Sequence, residues 1–237
     1  MTHASGGSNE PDDRSPVAGK PDAGLADVRH ESLYAAVLAD VLDTLGFRRQ
    51  CLGASIRPLG ASVRVAGRVF TARARETDTD PKEPYKLEMA LVDTATSGDV
   101  LVVDANYDTT CGFWGELLTT ACVAKGVNGV VMSACSRDLW AIGKMSFPVF
   151  GIGTSPADSR GRMDIVEIGE AIHIDGVQIH TGDYVLGDVD GVVIVPADAA
   201  DEVFARAHEK VSGENKVRDE LAAGVPVSEV FRKYGIL

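Results

Sequence analysis

Apolar residues recur along this chain in two rhythms and in short unbroken runs. Over residues 28–45, Leu33, Val37, Leu38, Val41, Leu42 and Leu45 keep the three- and four-residue spacing of a helix, and Gly46 follows as a stop. Ile56, Val63, Val65, Val69 and Phe70 belong to short β-like runs punctuated by Pro58, Gly60 and Gly67. Residues 76–84 are polar and read as a loop, after which residues 86–94 place Leu87, Ala90 and Leu91 on one helical face. Residues 100–103 and 130–132 are continuous apolar runs, the pattern of strands covered on both faces. Residues 115–125 between them are helical in pattern and stop at Gly126. Strand, helix and strand in so short a span predict a βαβ unit with parallel strands and a right-handed crossover. Residues 148–152 predict another strand. Residues 172–174 and 177–179 flank Asp175-Gly176, a pair suited to a type I′ hairpin turn. Residues 184–186 and 192–195 add strands, and the chain beyond Ala197 reads as helical, broken at Gly213 and Gly224. Residues 1–26 are rich in Gly, Pro, Ser and Asp, which predicts a disordered tail ahead of a single domain over residues 27–237.

Composition narrows the function. The 237 residues are 45% hydrophobic and 24% charged, enough for a sizeable core. Their net charge of −12 argues against a nucleic-acid or anionic-membrane surface. A small anionic ligand would then need a local cation or a metal. Cys51, Cys111, Cys122 and Cys135 form no CxxC, which predicts reduced thiols. No run of about 18 apolar residues marks a membrane span, and residues 1–26 lack a secretory apolar stretch. A cytoplasmic protein is the expectation by elimination.

The βαβ unit predicts where chemistry gathers. The carboxyl ends of its strands and the amino end of its helix share one sheet edge. The loops expected over residues 105–114 and 134–138 therefore converge there, next to the unpaired N–H groups of residues 115–118. Arg137 offers a planar fork for a carboxylate or keto oxygen, Asp138 offers hard oxygens for Mg²⁺ or Mn²⁺, and Glu116 lies on the same edge. A surface ion pair and a Glu favoured by the helix dipole is the competing explanation. The five histidines are scattered, Arg160 and Arg162 sit in a loop, and Asp188 and Asp190 look like turn residues. Neither GxxxxGK[ST] nor GxGxxG occurs.

An acidic residue followed after twenty positions by Arg-Asp, here Glu116 and Arg137-Asp138, resembles the class II pyruvate aldolases. These cleave 4-hydroxy-4-methyl-2-oxoglutarate and 4-carboxy-4-hydroxy-2-oxoadipate. Residues 98–104, 114–131, 147–156 and 182–196 are also similar to that family and to the RraA-like proteins that share its fold. The resemblance spans roughly residues 30–237. It implies an α/β fold, a three-layer β/β/α swivelling-domain sandwich. It implies Asp138 as the direct ligand of Mg²⁺ or Mn²⁺, with Glu116 holding water in the outer shell. Arg137 would bind the keto oxygen and steady an enolate. The N–H groups at Leu117 and Leu118, entered through Gly115, would take the pyruvyl carboxylate of a small 2-oxo acid. Glu214 matches an acidic residue supplied by a neighbouring subunit, which implies a homotrimer or hexamer with interfacial active sites.

Two departures concern the far end of the substrate. Ala141 stands where many relatives carry an acidic residue, and residues 104–113 replace a stretch that is often glycine-rich. Tyr107, Cys111, Phe113 and Trp140 would reshape the pocket there. The implied activity is retro-aldol release of pyruvate, with oxaloacetate decarboxylation through the same enolate. The rival implication is an RraA-like regulator that binds a ribonuclease without catalysis.

Overall fold

The computed structural model describes residues 23–80 and 82–236. Most of the tail expected over residues 1–26 lies outside them, and residues 23–26 open helix α1 (Ala23–Val28). The helical rhythm of residues 28–45 is not one helix. It breaks after α1 and resumes as α2 (Ala35–Thr44), leaving Leu33 buried in the turn between. Partners distant in sequence account for the break. Arg64 Nη2 donates to the carbonyls of Val28, His30 and Leu33 at 3.4, 3.0 and 3.4 Å, and Asp188 Oδ2 accepts the Ala35 N–H at 2.8 Å. Asp188 thus caps a helix from another element, and its second oxygen accepts the Asp190 N–H within its own turn.

The main sheet runs in the order β1 (Arg57–Pro58), β5 (Val149–Gly151), β4 (Gly129–Ser136), β3 (Asp99–Trp114), β2 (Val65–Glu76), β10 (Tyr184–Asp188), β11 (Gly191–Val195). Strands β2, β3, β4 and β5 are parallel neighbours, and the outer pairings are antiparallel. Two strands join off this line: β6 (Gly153–Thr154) parallel to β4 and β7 (Met163–Ile168) antiparallel to β2. The short runs expected around Gly67 are one strand. A Cβ on Gly67 would stand 2.4 Å from the Gly98 carbonyl, so this glycine admits the neighbouring backbone instead of ending a strand.

Period-two alternation sends the strand residues to two cores. Leu101, Val103, Val130 and Met132 pack under α3 (Lys86–Thr94), α4 (Glu116–Lys125) and α5 (Leu139–Ile142). Val100, Val102 and Val131 face the hairpin of β8 (Ile172–Ile174) and β9 (Val177–Ile179). Coverage on both faces is why these strands read as unbroken apolar runs. Helices, main sheet and hairpin form the three β/β/α layers. The hairpin turns at Asp175 and Gly176 with φ of 53° and 78°, as a type I′ turn requires.

A third core joins α1, α2 and α6 (Ala200–Ala222) to β10 and β11. Gly213 lies inside α6 and does not break it. A Cβ there would come within 2.9 Å of Ile236, just past α7 (Val227–Tyr234), so the glycine marks a close approach. Gly224, between the two helices, takes φ +86° and does end a helix.

Strand β3 corrects the loop expected over residues 105–114. It stays paired with β4 through Val103↔Met132, Asp108↔Ala134, Gly112↔Cys135 and Trp114↔Ser136. From Val103 to Trp114 it takes eleven residue steps where β4 takes four, so the surplus bulges outward between pairing points. The Tyr107 hydroxyl anchors this excursion on the Asp175 carboxylate, which also accepts the Gly53 N–H at 2.6 Å.

Candidate active site

The edge where β3 and β4 end is tied together by backbone. Arg137 N and Ser136 Oγ both donate to the Trp114 carbonyl, at 2.8 and 2.9 Å. This brings Arg137 and Asp138 beside the start of α4. Asp138 adopts the left-handed conformation, φ 59° and ψ 24°, which an Asp tolerates and which turns the chain into α5. Its Oδ2 accepts the Glu116 N–H at 3.3 Å and lies 3.7 Å from Arg137 Nε. A Cβ on Gly115 would stand 2.9 Å from Asp138 Oδ2 and 3.3 Å from Arg137 Nε, so only glycine leaves this junction undisturbed.

At the start of helix α4 the Glu116 N–H is taken by Asp138, and Gly115 itself supplies no side-chain cap. The N–H groups of Leu117 and Leu118 therefore have no partner within the helix and carry its positive end. The Leu117 side chain points outward, while Leu118 leans on the core. The first turn is fixed from beneath: Trp114 Nε1 donates to Thr119 Oγ1 at 2.9 Å, and that hydroxyl donates to the Gly115 carbonyl at 3.0 Å. Glu116 accepts the Thr120 hydroxyl at 2.9 Å on Oε1.

Gly115, Glu116, Leu117, Leu118, Arg137 and Asp138 thus meet at one edge. Glu214 does not join them within this chain. It sits on α6, accepts the Tyr34 hydroxyl and lies 3.6 Å from Lys210 Nζ. Arg160 is occupied elsewhere, paired through two nitrogens with Asp80 at 2.6 and 2.9 Å. Burial raises the thiols of Cys111 and Cys122, to about 11 and about 12, and that of Cys135 too, so these are wall residues and not nucleophiles.

Asp158 is the group that the sequence pattern did not single out. Its Oδ1 lies 3.2 Å from Arg137 Nη1, and its Oδ2 accepts the Tyr85 hydroxyl at 2.7 Å. The topology held a signal. Because β6 runs parallel to β4, the segment after it returns to the same edge as the segment after β4. Ala141 lies on α5 with its side chain buried, and Trp140 beside it is 75% exposed.

The donor set suits a lightly held divalent ion. Among the described residues no group of three His, Cys, Asp or Glu side chains forms a protein-built cage. The Asp138 carboxylate is 41% exposed and offers one hard anchoring group, which fits an ion such as Mg²⁺ that keeps most of its waters. Also among the described residues, no helix is long and apolar enough to cross a membrane.

The family model described as RraA-like, Aldolase/RraA, matches residues 35–194. A Halalkalibacterium halodurans protein named "Putative 4-hydroxy-4-methyl-2-oxoglutarate aldolase" is 31% identical over 173 residues, 73% of this chain and 77% of that protein. DlpA of Legionella pneumophila is 25% identical over 200 residues, 84% of this chain, and the chain spans only 32% of DlpA's length. Among solved structures, Streptomyces coelicolor RraAS2, an unusual member of the RNase ES inhibitor RraA protein family, superposes with a TM-score of 0.74. It is 24% identical, and the match covers 86% of this chain and 99% of that one.

Proposed function

The chain belongs to the Aldolase/RraA family, and from that premise we propose that it is a divalent-metal-dependent carbon–carbon lyase. Its substrate class is 4-hydroxy-2-oxo acids, cleaved by retro-aldol reaction to pyruvate, and oxaloacetate decarboxylation makes the same enolate. The observation that carries this reading is the meeting of Arg137, Asp138 and the start of α4 at one sheet edge.

Asp138 would hold Mg²⁺ or Mn²⁺, which when bound supplies Lewis acidity to the 2-oxo group. The N–H groups of Leu117 and Leu118 receive the substrate carboxylate and fix the reacting carbons relative to the sheet edge. In the reaction the 4-hydroxyl loses its proton, and the C3–C4 electron pair moves into the 2-oxo carbonyl. Arg137 meets the oxyanion that results with a fixed positive charge. Glu116, whose Oε1 accepts the Thr120 hydroxyl, would hold the water that takes the 4-hydroxyl proton, and C3 of the enolate is then protonated to give pyruvate.

Leu117 and Trp140, 79% and 75% exposed beside the polar groups, favour contact with another chain. We assign that contact to neighbouring copies in a homotrimer or hexamer. A ribonuclease partner is the alternative, in which the edge would serve binding alone. Pyruvate release from several 4-hydroxy-2-oxo acids and oxaloacetate, with and without Mg²⁺ or Mn²⁺, separates the two. Metal-stimulated turnover that Asp138→Ala abolishes in a folded protein is the expected result. Absence of such turnover on every substrate overturns the lyase reading.

A further inference from the structure

We propose that Asp158 is the positioning residue of Arg137, with Tyr85 completing the clamp. The proposal rests on the lyase reading and deepens it. An arginine side chain carries about 2 kcal/mol of rotamer entropy, so a guanidinium that must meet an oxyanion gains from being fixed beforehand. Arg137 is bracketed by two carboxylates, Asp138 at Nε and Asp158 at Nη1. Neither contact has hydrogen-bond geometry, and among the described residues the side chain of Arg137 makes no hydrogen bond. Its N–H donors are thus aimed by charge and left open to a ligand.

Asp158 is itself built in place. Its segment is latched to the ends of both central strands: Ser155 N donates to the Ser136 carbonyl at 3.0 Å, and Gly112 N to the Ala157 carbonyl at 2.8 Å. Arg162 Nη1 donates to the Asp158 carbonyl at 3.0 Å. Gly112 allows the close approach, since a Cβ there would stand 2.3 Å from the Ser155 carbonyl and 2.8 Å from Arg137 Cβ. Tyr85 reaches Asp158 from the start of α3, where its backbone holds φ 61°, a conformation costly for a bulky side chain and retained where the surroundings enforce it. Partial burial pushes the Asp158 carboxyl up, but the Tyr85 hydroxyl, the Arg137 charge and the backbone N–H groups of Ser159 and Arg160 together outweigh it and hold it below the usual carboxylate range. Asp158 is therefore anionic at neutral pH. Its Oδ1 is shielded from water and accepts no hydrogen bond, so Arg137 is its compensation.

The test uses the full chain with saturating Mg²⁺ and two probes measured by calorimetry: oxalate, which mimics the enolate, and pyruvate, which mimics the ground state. Asp158→Asn keeps the shape and the bond from Tyr85 but removes the charge. We expect its oxalate Kd to rise about tenfold or more, about 1.4 kcal/mol per factor of ten. Pyruvate Kd should change less than about threefold, and kcat should fall in step with oxalate affinity. Tyr85→Phe should raise oxalate Kd by a smaller factor, and it carries the test if Asp158→Asn fails to fold. Unchanged oxalate affinity in the folded variants overturns the clamp even where wild-type turnover upholds the lyase reading. Wild-type oxalate binding without turnover defeats the lyase reading and leaves the clamp to be judged on the variants' affinities. No oxalate binding by the wild type overturns the clamp, and turnover alone decides the lyase reading.

Discussion

At the scale of single residues, carboxylates are sorted by what surrounds them. Asp158 is kept ionised, whereas Glu88, in the first turn of α3 and 5% exposed, is pushed up to about 7. Burial is the main cause, opposed by the Ser159 hydroxyl and reinforced by Asp164 and Asp158. The folded protein then holds a proton that the unfolded chain releases near its ordinary value of 4.5, so stability falls as pH rises from about 4.5 to about 7. The loss is on the order of 3 kcal/mol. Glu88→Gln removes the titration, and chemical denaturation at a series of pH values should show the variant gaining on the wild type across that window. Parallel curves would refute this. That Arg137, Asp138 and Glu116 meet at one edge was legible in the sequence, because the βαβ pattern puts strand ends and a helix start together. Asp158 was not, because its meaning depends on β6 and on the distant Tyr85.

Among the elements, the βαβ unit was the most legible, since its strands are buried on both faces and its helix has a clear end. Gly126 closes α4 at φ +74°, with a Cβ position 2.8 Å from Ser97 Oγ. Gly126→Ala should cost about 1–2 kcal/mol from the left-handed backbone, seen as a lower denaturation midpoint. Turnover per folded molecule should be unchanged, because the candidate site lies at the opposite end of α4. A large loss of kcat would mean that the helix moves as a whole. Boundaries set by remote partners were illegible. The split between α1 and α2 depends on Arg64 and Asp188, and the excursion of β3 depends on where β4 re-pairs with it. Gly67 and Gly213 misled for a shared reason: each serves a close approach that local sequence does not reveal.

For the whole molecule, the net charge of −12 disfavours broad anionic surfaces, and at the candidate edge Arg137 and the α4 start stand among Asp138, Asp158 and Glu116, so a small anion would depend on a divalent ion held there as well. If Glu214 completes a neighbour's site, two crippled chains should rescue each other. Asp138→Ala and Glu214→Gln chains, each inactive alone, should regain about a quarter of wild-type turnover when unfolded and refolded together, as random mixing in a ring requires. No recovery in a confirmed oligomer would leave Glu214 to its bond with Tyr34. The β3 excursion has a consequence at this scale as well. Its surplus residues lie between pairing points that hold on both sides, and Tyr107 pins it to the hairpin. Only its surface part, residues 106–110, is therefore exchangeable: Ala105, Cys111 and Phe113 are buried in the core, and Gly112 is latched to Ala157 beside Arg137. The residues that shape the surface beside the candidate edge are thus different from the residues that hold the strand ends together, and the two sets can change independently.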